Sequence, residues 1–301
     1  MRVIFRSDAM GLTAQQVQTY RDEGVLVDEN ILTEEDLAPI EAEYSAWLDR
    51  KAEELMADGK LTETFRDASF DKRFGLLYAQ TPEISKGLDI MFVLGKASFE
   101  FLKNPNLLNA VASLLGSEIT CSPIQHIRAK PPASDQGSGA GFYNVPWHQD
   151  AGVTWQEADD SDIITCWLPL VDATVENGCM EVIPGVWKNG YLAHHADNGT
   201  TIRPEFHPVA ASRPVPVKRG GVIFMHRYTP HRSTPNNSDV TRWSLDLRYQ
   251  PTGVPTGRPF HPDFVARSSA DPASVLKDHL EWAKRWEEAL ETSKGVQMHR
   301  V

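Results

Sequence analysis

Hydrophobic and polar positions along this chain follow two periods, and the change from one to the other falls near residue 119. Before it the period is helical. The stretch "LTAQQVQTYRDEG" reads as a helix that a Thr13 cap starts and Gly24 ends. "GVLVDENIL" is a short strand-like run. A long helix follows, opening at Thr33 with acidic residues in its first turn, where the positive end of the helix dipole favours them. Its Leu37, Ile40, Tyr44 and Leu48 recur at helical spacing. Residues 82–116 read as two more helices, closing at "LLGSE". From Ile119 the texture becomes short β-rich runs separated by Gly, Pro and Asn, among them "ITCSPIQHIRAK", "DIITCWLPLVDA", "RPVPVKRGGVIFMH" and "TRWSLDLRYQP". The tail returns to a helical period. Asp271 is placed to cap it, Pro272 suits its first position, and Leu276, Leu280, Trp282 or Ala283, and Trp286 would form its apolar stripe.

These elements predict a helical part over 12–116, an antiparallel β-sandwich or barrel over about 119–255, and a closing helix over about 271–294, all in one domain spanning 1–301. The extra helices would pack on one sheet of the β-core. The Gly- and Ser-rich stretch Ser134 to Asn144 reads as a mobile loop and a lid. With 301 residues, 41 % of them hydrophobic, the chain can bury a substantial core without disulfides. Its three cysteines, Cys121, Cys166 and Cys179, are odd in number and form no CxxC pair, which fits a reducing, cytoplasmic setting. Cys166 and Cys179 read as buried small hydrophobes. The net charge of −11 argues against a nucleic-acid groove. The first sixteen residues hold only a short apolar run, less than a signal peptide needs, and no long apolar stretch suits a membrane span.

The chemistry concentrates in the β-rich half. In "VPWHQDAGVTW" the imidazole of His148 and the carboxylate of Asp150 stand at i and i+2. On a strand those positions face the same way, so both can reach one ion. A third ligand is available downstream from His231, or alternatively from His226, which reads more readily as structural. Two His and one carboxylate, two close together and one distant, is the donor set of the facial triad of non-haem Fe(II) oxygenases, which leaves coordination positions open. In "TRWSLDLRY" the period of two puts Arg242, Ser244, Asp246 and Arg248 on one face and Trp243, Leu245 and Leu247 on the other. That is a strand with a polar pocket in front and a helix packed behind. Thr165 and Trp167 likewise share a face. His194 and His195 read as a surface-loop pair, and the acidic loop Asp159, Asp160 and Asp162 as solvated charge.

Four segments, in order, resemble the phytanoyl-CoA dioxygenase family of Fe(II)/2-oxoglutarate oxygenases: "AKPP" at Ala129, "WHQD" at Trp147, "ENGCMEVIPGVWK" at Glu176 and "HRSTPNNSDVTR" at His231. The likeness covers about residues 12–255, and "PGVWK" departs from the more usual "PGSHK". It implies a jelly-roll core with a double-stranded β-helix, and an enzyme. It also implies Fe(II) on His148, Asp150 and His231, with O₂ and 2-oxoglutarate as co-substrates. By the same resemblance Arg242 clamps the distal carboxylate of 2-oxoglutarate, Ser233 assists it and Trp167 lines the co-substrate pocket; Thr165, on the same face as Trp167, is a further candidate contact. An upstream amide or lysine contact is expected too, for which Gln125 and His126 are candidates. Arg fits the clamp on physical grounds, since its planar fork stays charged when buried. The carboxylate of Asp150 stands where related halogenases carry a small residue, which argues against halogenation. The expected outcome is hydroxylation of a small-molecule substrate by a monomer or homodimer; desaturation, epoxidation and rearrangement stay open. A non-catalytic binding barrel, or an iron enzyme without 2-oxoglutarate, would leave the pairing of Arg242 with Ser233 without a purpose.

Overall fold

The computed structural model describes residues 11–136, 143–196 and 199–300. Helix α1 (Ala14–Glu23) is bracketed as its ends suggest: Thr13 and Gln16 form a reciprocal capping box, and Gly24 closes it in the left-handed region at φ 71°. After β1 (Val25–Asp28) comes α2 (Glu34–Ala57), which Thr33 and Asp36 cap in the same way. Helices α3 (Phe70–Gln80), α4 (Ile90–Val93), α5 (Lys96–Phe101) and α6 (Pro105–Leu115) complete the helical part. Residues 82–116 thus hold more pieces than the two helices expected. Leu94 takes a left-handed φ of 50°, which ends α4, and the Glu43 carboxylate accepts the backbone N–H groups of Ala97 and Ser98 to start α5 afresh.

The strands that follow are β2 (Ile119–Cys121) and β3 (His126–Lys130); then come the short helix α7 (Ala133–Gln136), β4 (Ile164–Pro169), β5 (Met180–Val182), β6 (His194–His195) and β7 (Thr201–Ile202). Next are β8 (Arg213–Val215), β9 (Val222–His226), β10 (His231–Ser233), β11 (Arg242–Pro251), β12 (Phe264–Arg267) and the last helix, α8 (His279–Thr292). The large sheet runs β1-β9-β4-β11-β2-β12, with β3 also pairing β11; the small sheet runs β10-β5-β8. All their pairings are antiparallel. This is a jelly roll.

Alternation along each strand decides which core a side chain joins. On β9, Ile223 and Met225 meet Trp167, Met180, Val182 and Val215 between the two sheets. The intervening Val222 and Phe224 join the larger core against the helices, as do Trp243, Leu245 and Leu247 of β11. Trp243 stacks on Phe70 at 4.6 Å between centroids. Helices on one face of the large sheet thus leave its other face to enclose a pocket. Cys121, Cys166 and Cys179 are all free and buried.

Two boundaries differ from the expectation. The β-core reaches beyond 119–255, because β1 pairs β9 and β12 pairs β2. The closing helix begins at His279 with Asp278 as its cap, not at Asp271. Asp271 instead caps a tight turn, accepting from Ala273 N at 3.2 Å, and Leu276 N donates to Val265 O of β12. With its N–H committed to the sheet, that stretch cannot be helical. Trp282 and Trp286 are fully buried, whereas Leu280 is 73 % exposed and outside the stripe. No helix is long and apolar enough to cross a membrane among the described residues. Residues 137–142, the middle of the expected lid, lie outside the described residues.

Candidate active site

His148 and His231 are brought together by their backbones. They form an isolated antiparallel bridge, His148 N donating to His231 O at 3.0 Å and His231 N to His148 O at 2.9 Å. Their rings lie 4.1 Å apart. Each ring is then aimed by its own Nδ1, which sits 2.9 Å from Pro146 O in His148 and 2.9 Å from Thr229 O in His231. A protonated Nδ1 donating to a carbonyl leaves Nε2 with a free lone pair, the form a metal takes. His148 Nε2 is 4.0 Å and His231 Nε2 3.9 Å from Asp150 Oδ1. One donor atom from each of the three residues lies within 4.8 Å of the others, the spacing of a metal site. Burial pushes the His148 imidazole down to about 3, so it stays neutral and able to ligate.

The expected strand carrying His148 and Asp150 is only half present. Gln149 is extended, so its neighbours do share a side, but Asp150 opens a 3-10 turn, Asp150–Val153, and not a ladder strand. What holds that irregular segment is Gln149 itself. Its Nε2 donates to Gly190 O and Tyr228 O, its Oε1 accepts Leu192 N, and its backbone N donates to His194 Nε2 at 3.0 Å.

Asp150 has further partners. Arg248 Nη2 donates to Asp150 Oδ1 at 2.5 Å, and the Thr165 hydroxyl donates to Oδ2. Burial alone would raise the carboxyl, but the Arg248 guanidinium outweighs it and holds Asp150 well below the usual carboxylate range. Arg248, also 3.5 Å from Asp246, is held charged in return.

A second group of basic side chains lines the same cavity of about 360 Å³ without such balance. Registration of β3 on β11 pairs His126 with Asp246, Arg128 with Ser244 and Lys130 with Arg242. Arg242 is 3 % exposed. Its Nη1 donates to Ser244 Oγ at 3.0 Å, its guanidinium lies 5.1 Å from the Trp167 ring, and its Nε has no partner. Lys130 Nζ reaches Ser233 Oγ at 2.6 Å, Asn144 Oδ1 at 3.0 Å and Thr234 O. Among the described residues neither cation pairs with a carboxylate. Burial and the neighbouring Arg242 push Lys130 down to about 6; burial and Arg128 push Arg242 down to about 10. A buried guanidinium with an unmet donor, beside an amine that can take up a proton, forms a receptor for an anion.

The phytanoyl-CoA dioxygenase (PhyH) family model matches residues 20–244. The chain belongs to that family. Among its relatives, a phytanoyl-CoA dioxygenase domain-containing protein 1 of Danio rerio is 27 % identical over 77 % of this chain and 87 % of its own length. A methylphosphonate hydroxylase of Gimesia maris is 36 % identical over 29 % of this chain, a stretch that is 32 % of that enzyme. Among solved structures, a non-haem monooxygenase, ThoJ, overlays with a TM-score of 0.58 at 19 % identity, covering 92 % of this chain and 99 % of its own. The PhyH family uses iron and 2-oxoglutarate, and this member carries the His-x-Asp and distal His that such an oxygenase needs.

Against the PhyH pattern, the other expected residues fall in different places. Ser233 and Trp167 line the anion-receptive part of the cavity with Arg242. Thr165 does not face that part; its hydroxyl is spent on Asp150. Gln125 is buried outside the cavity lining, its Oε1 near the Cys121 thiol and its Nε2 without a partner. His126 lines the cavity but is engaged with Asp89 at 2.7 Å. Lys130, five residues beyond Gln125, lines the cavity opposite Arg242, a placement set by strand register. His226 lies apart from the triad, its ring 4.3 Å from Trp187 and its Nδ1 accepting Tyr228 N. His194 is buried and supports Gln149, unlike a surface-loop residue. Asp159 is likewise no solvated charge, since it pairs with Arg227 and Arg300.

Proposed function

We propose that this PhyH-family oxygenase hydroxylates a C–H bond of a small organic substrate, with Fe(II) on His148, Asp150 and His231 and 2-oxoglutarate anchored by Arg242 and Lys130. Two nitrogen donors and one oxygen donor on one side of an ion leave the facing positions for the co-substrates. Iron held there supplies O₂ activation, with decarboxylation of 2-oxoglutarate to succinate and CO₂ furnishing the electrons. The protein's own contribution is placement and charge. Arg248 and Thr165 fix both oxygens of Asp150, so the carboxylate presents one geometry to the metal. Arg242 and Lys130 meet the distal carboxylate, and Ser233 holds Lys130 in place. Trp167 flattens the wall beside Arg242.

The observation that carries this reading is a buried guanidinium and a buried amine side by side without a carboxylate, in one cavity with three convergent donors. A dicarboxylate that also meets the metal satisfies both. The cavity volume suits a co-substrate plus a small metabolite. The test is succinate formation by the purified chain. It should require Fe(II), 2-oxoglutarate and O₂ together and vanish in His148→Ala. Screening small acids and neutral metabolites for accelerated succinate release, with product gain of one oxygen atom by mass, identifies the substrate. Succinate that forms equally in His148→Ala would refute the ligand set; a product that has lost two hydrogens would replace hydroxylation by desaturation.

A further inference from the structure

The cavity holds more positive charge than iron and 2-oxoglutarate account for. Of its acids, Asp150 and Asp246 are taken by Arg248, and Asp89 by His126 and the Ile127 N–H. A 2-oxoglutarate dianion would answer Arg242 and Lys130. Arg258 and Arg128 then remain, and Arg258 is the more buried of the two. It is 7 % exposed, lines the cavity, and has no carboxylate partner among the described residues.

Arg258 is held in place deliberately. Gly257 precedes it at φ 70°, and a Cβ there would come within 2.5 Å of Thr154 Cβ. Trp155 N donates to Gly257 O, and Arg258 Nε donates to Val153 O at 3.0 Å. These bonds tie Arg258 to the turn that begins at the metal ligand Asp150.

Beside it lies a strap. Residues 297–300 leave α8 and cross to the same turn, Trp155 Nε1 donating to Gln297 O at 3.0 Å and Arg300 Nε to Thr154 O at 3.2 Å. Arg300 also pairs with Asp159 and lies 4.4 Å from the Tyr191 ring. The strap brings His299 into the cavity wall, its Nδ1 2.7 Å from Thr200 Oγ1. In the tautomer where Thr200 donates to Nδ1, the proton sits on Nε2, which can donate to an anion. Burial and Arg258 push His299 down to about 4, so the imidazole is neutral. Arg258 and His299 both lie outside residues 20–244, the segment that the family shares.

We propose that Arg258 and His299 form an anion subsite that binds the primary substrate through a carboxylate or phosphonate group, and so set the enzyme's specificity for a small organic acid. This rests on the iron and 2-oxoglutarate reading above, because it builds on Arg258, the more buried of the two charges, Arg128 and Arg258, that those leave over. A buried guanidinium without a counter-charge is costly, and a substrate anion relieves that cost only in the complex. The neutral analogue leaves the cation unmet, so discrimination is steep.

The test is calorimetry on the full chain, with and without Fe(II) and 2-oxoglutarate, in the absence of O₂. The visible absorption band of the iron–2-oxoglutarate pair scores the parent reading separately, and binding is scored whether or not that band forms. The probes are butanoate, hexanoate and octanoate against their amides, and methylphosphonate against its dimethyl ester. At least one acid should bind about tenfold or more tightly than its neutral partner. The arm that shows the preference distinguishes carboxylate from phosphonate. Arg258→Gln should bring the ratio close to one, Arg258→Lys should keep most of it, and His299→Ala should lower it a few-fold with Arg258 intact. A merely structural role would weaken acid and neutral probe alike. Equal affinity for acid and neutral partner, no binding of any acid, or a preference that survives both Arg258→Gln and His299→Ala would overturn the proposal.

Discussion

On the metal side of the cavity each charge has its opposite. Asp150 faces Arg248, Arg248 faces Asp246 as well, and both imidazoles are aimed by carbonyls. On the other side, Arg242, Lys130 and Arg258 sit buried with carbonyl, hydroxyl, amide and thioether partners but no acid. The first side is organised before any ligand arrives. The second is organised by the fold, but its charge is completed only by what binds. Substitutions on the two sides should therefore move stability in opposite directions.

The largest effect is expected at Asp150. Asp150→Ala should abolish iron binding and also destabilise the metal-free chain by up to about 3–5 kcal/mol, because buried Arg248 loses its closer acid and keeps only Asp246, 3.5 Å away. Urea unfolding of the metal-free protein measures this; an unchanged midpoint would show that Arg248 finds another partner. Arg248→Met should come next, weakening Fe(II) binding about 10–100-fold while keeping all three ligands, as read by metal competition. Arg242→Met has the opposite signature. It should raise the 2-oxoglutarate concentration needed for turnover by about 100-fold or more and leave the unliganded chain as stable or more so.

The smallest effect is a pH slope. Burial and Arg242 hold Lys130 at about 6 in the folded chain, far below an unfolded lysine. Between those values the unfolded chain binds the extra proton, so stability should rise with pH from about 6 upward. Lys130→Met should flatten that slope. 2-Oxoglutarate binding near neutral pH should be accompanied by proton uptake in the wild type and not in Lys130→Met, as calorimetry in buffers of different ionisation enthalpy will show. Uptake that persists in the variant would place the titrating group elsewhere.

The same contrast explains what the sequence disclosed. The His148 and Asp150 pair and the polar face of β11 were legible because the His-x-Asp spacing and period-2 alternation are local patterns, whereas choosing His231 over His226 as their companion took the family resemblance. Helices α1 and α2 were legible from Thr13 and Thr33 as starts, Gly24 as a stop and the helical spacing of apolar residues; the reciprocal capping boxes appear only in the structure. The partners were not legible. That Lys130 lies opposite Arg242 depends on the register of β3 on β11; that Thr165 serves Asp150 depends on how a 3-10 turn crosses β4. Gln149 looked like a spacer between two ligands, yet its amide holds three backbone groups in loops 41 to 79 residues away. The last helix was placed too early because Asp271-Pro272 is a good helix start locally, and only pairing to β12 overrides it. Arg258 and His299 carried no signal, since the strap that joins them is made by tertiary contacts alone.

The central claim is that one cavity holds iron on its balanced side and a dicarboxylate on its unbalanced side. Anaerobic titration of 2-oxoglutarate into the Fe(II)-loaded chain, with bound iron assayed in parallel, tests it most directly. The account predicts a weak visible band that saturates in the wild type, is displaced to about 100-fold higher 2-oxoglutarate in Arg242→Met with iron content unchanged, and is absent in Asp150→Ala. A wild-type chain that binds iron without developing the band, or an Arg242→Met variant that titrates like the wild type, would contradict it.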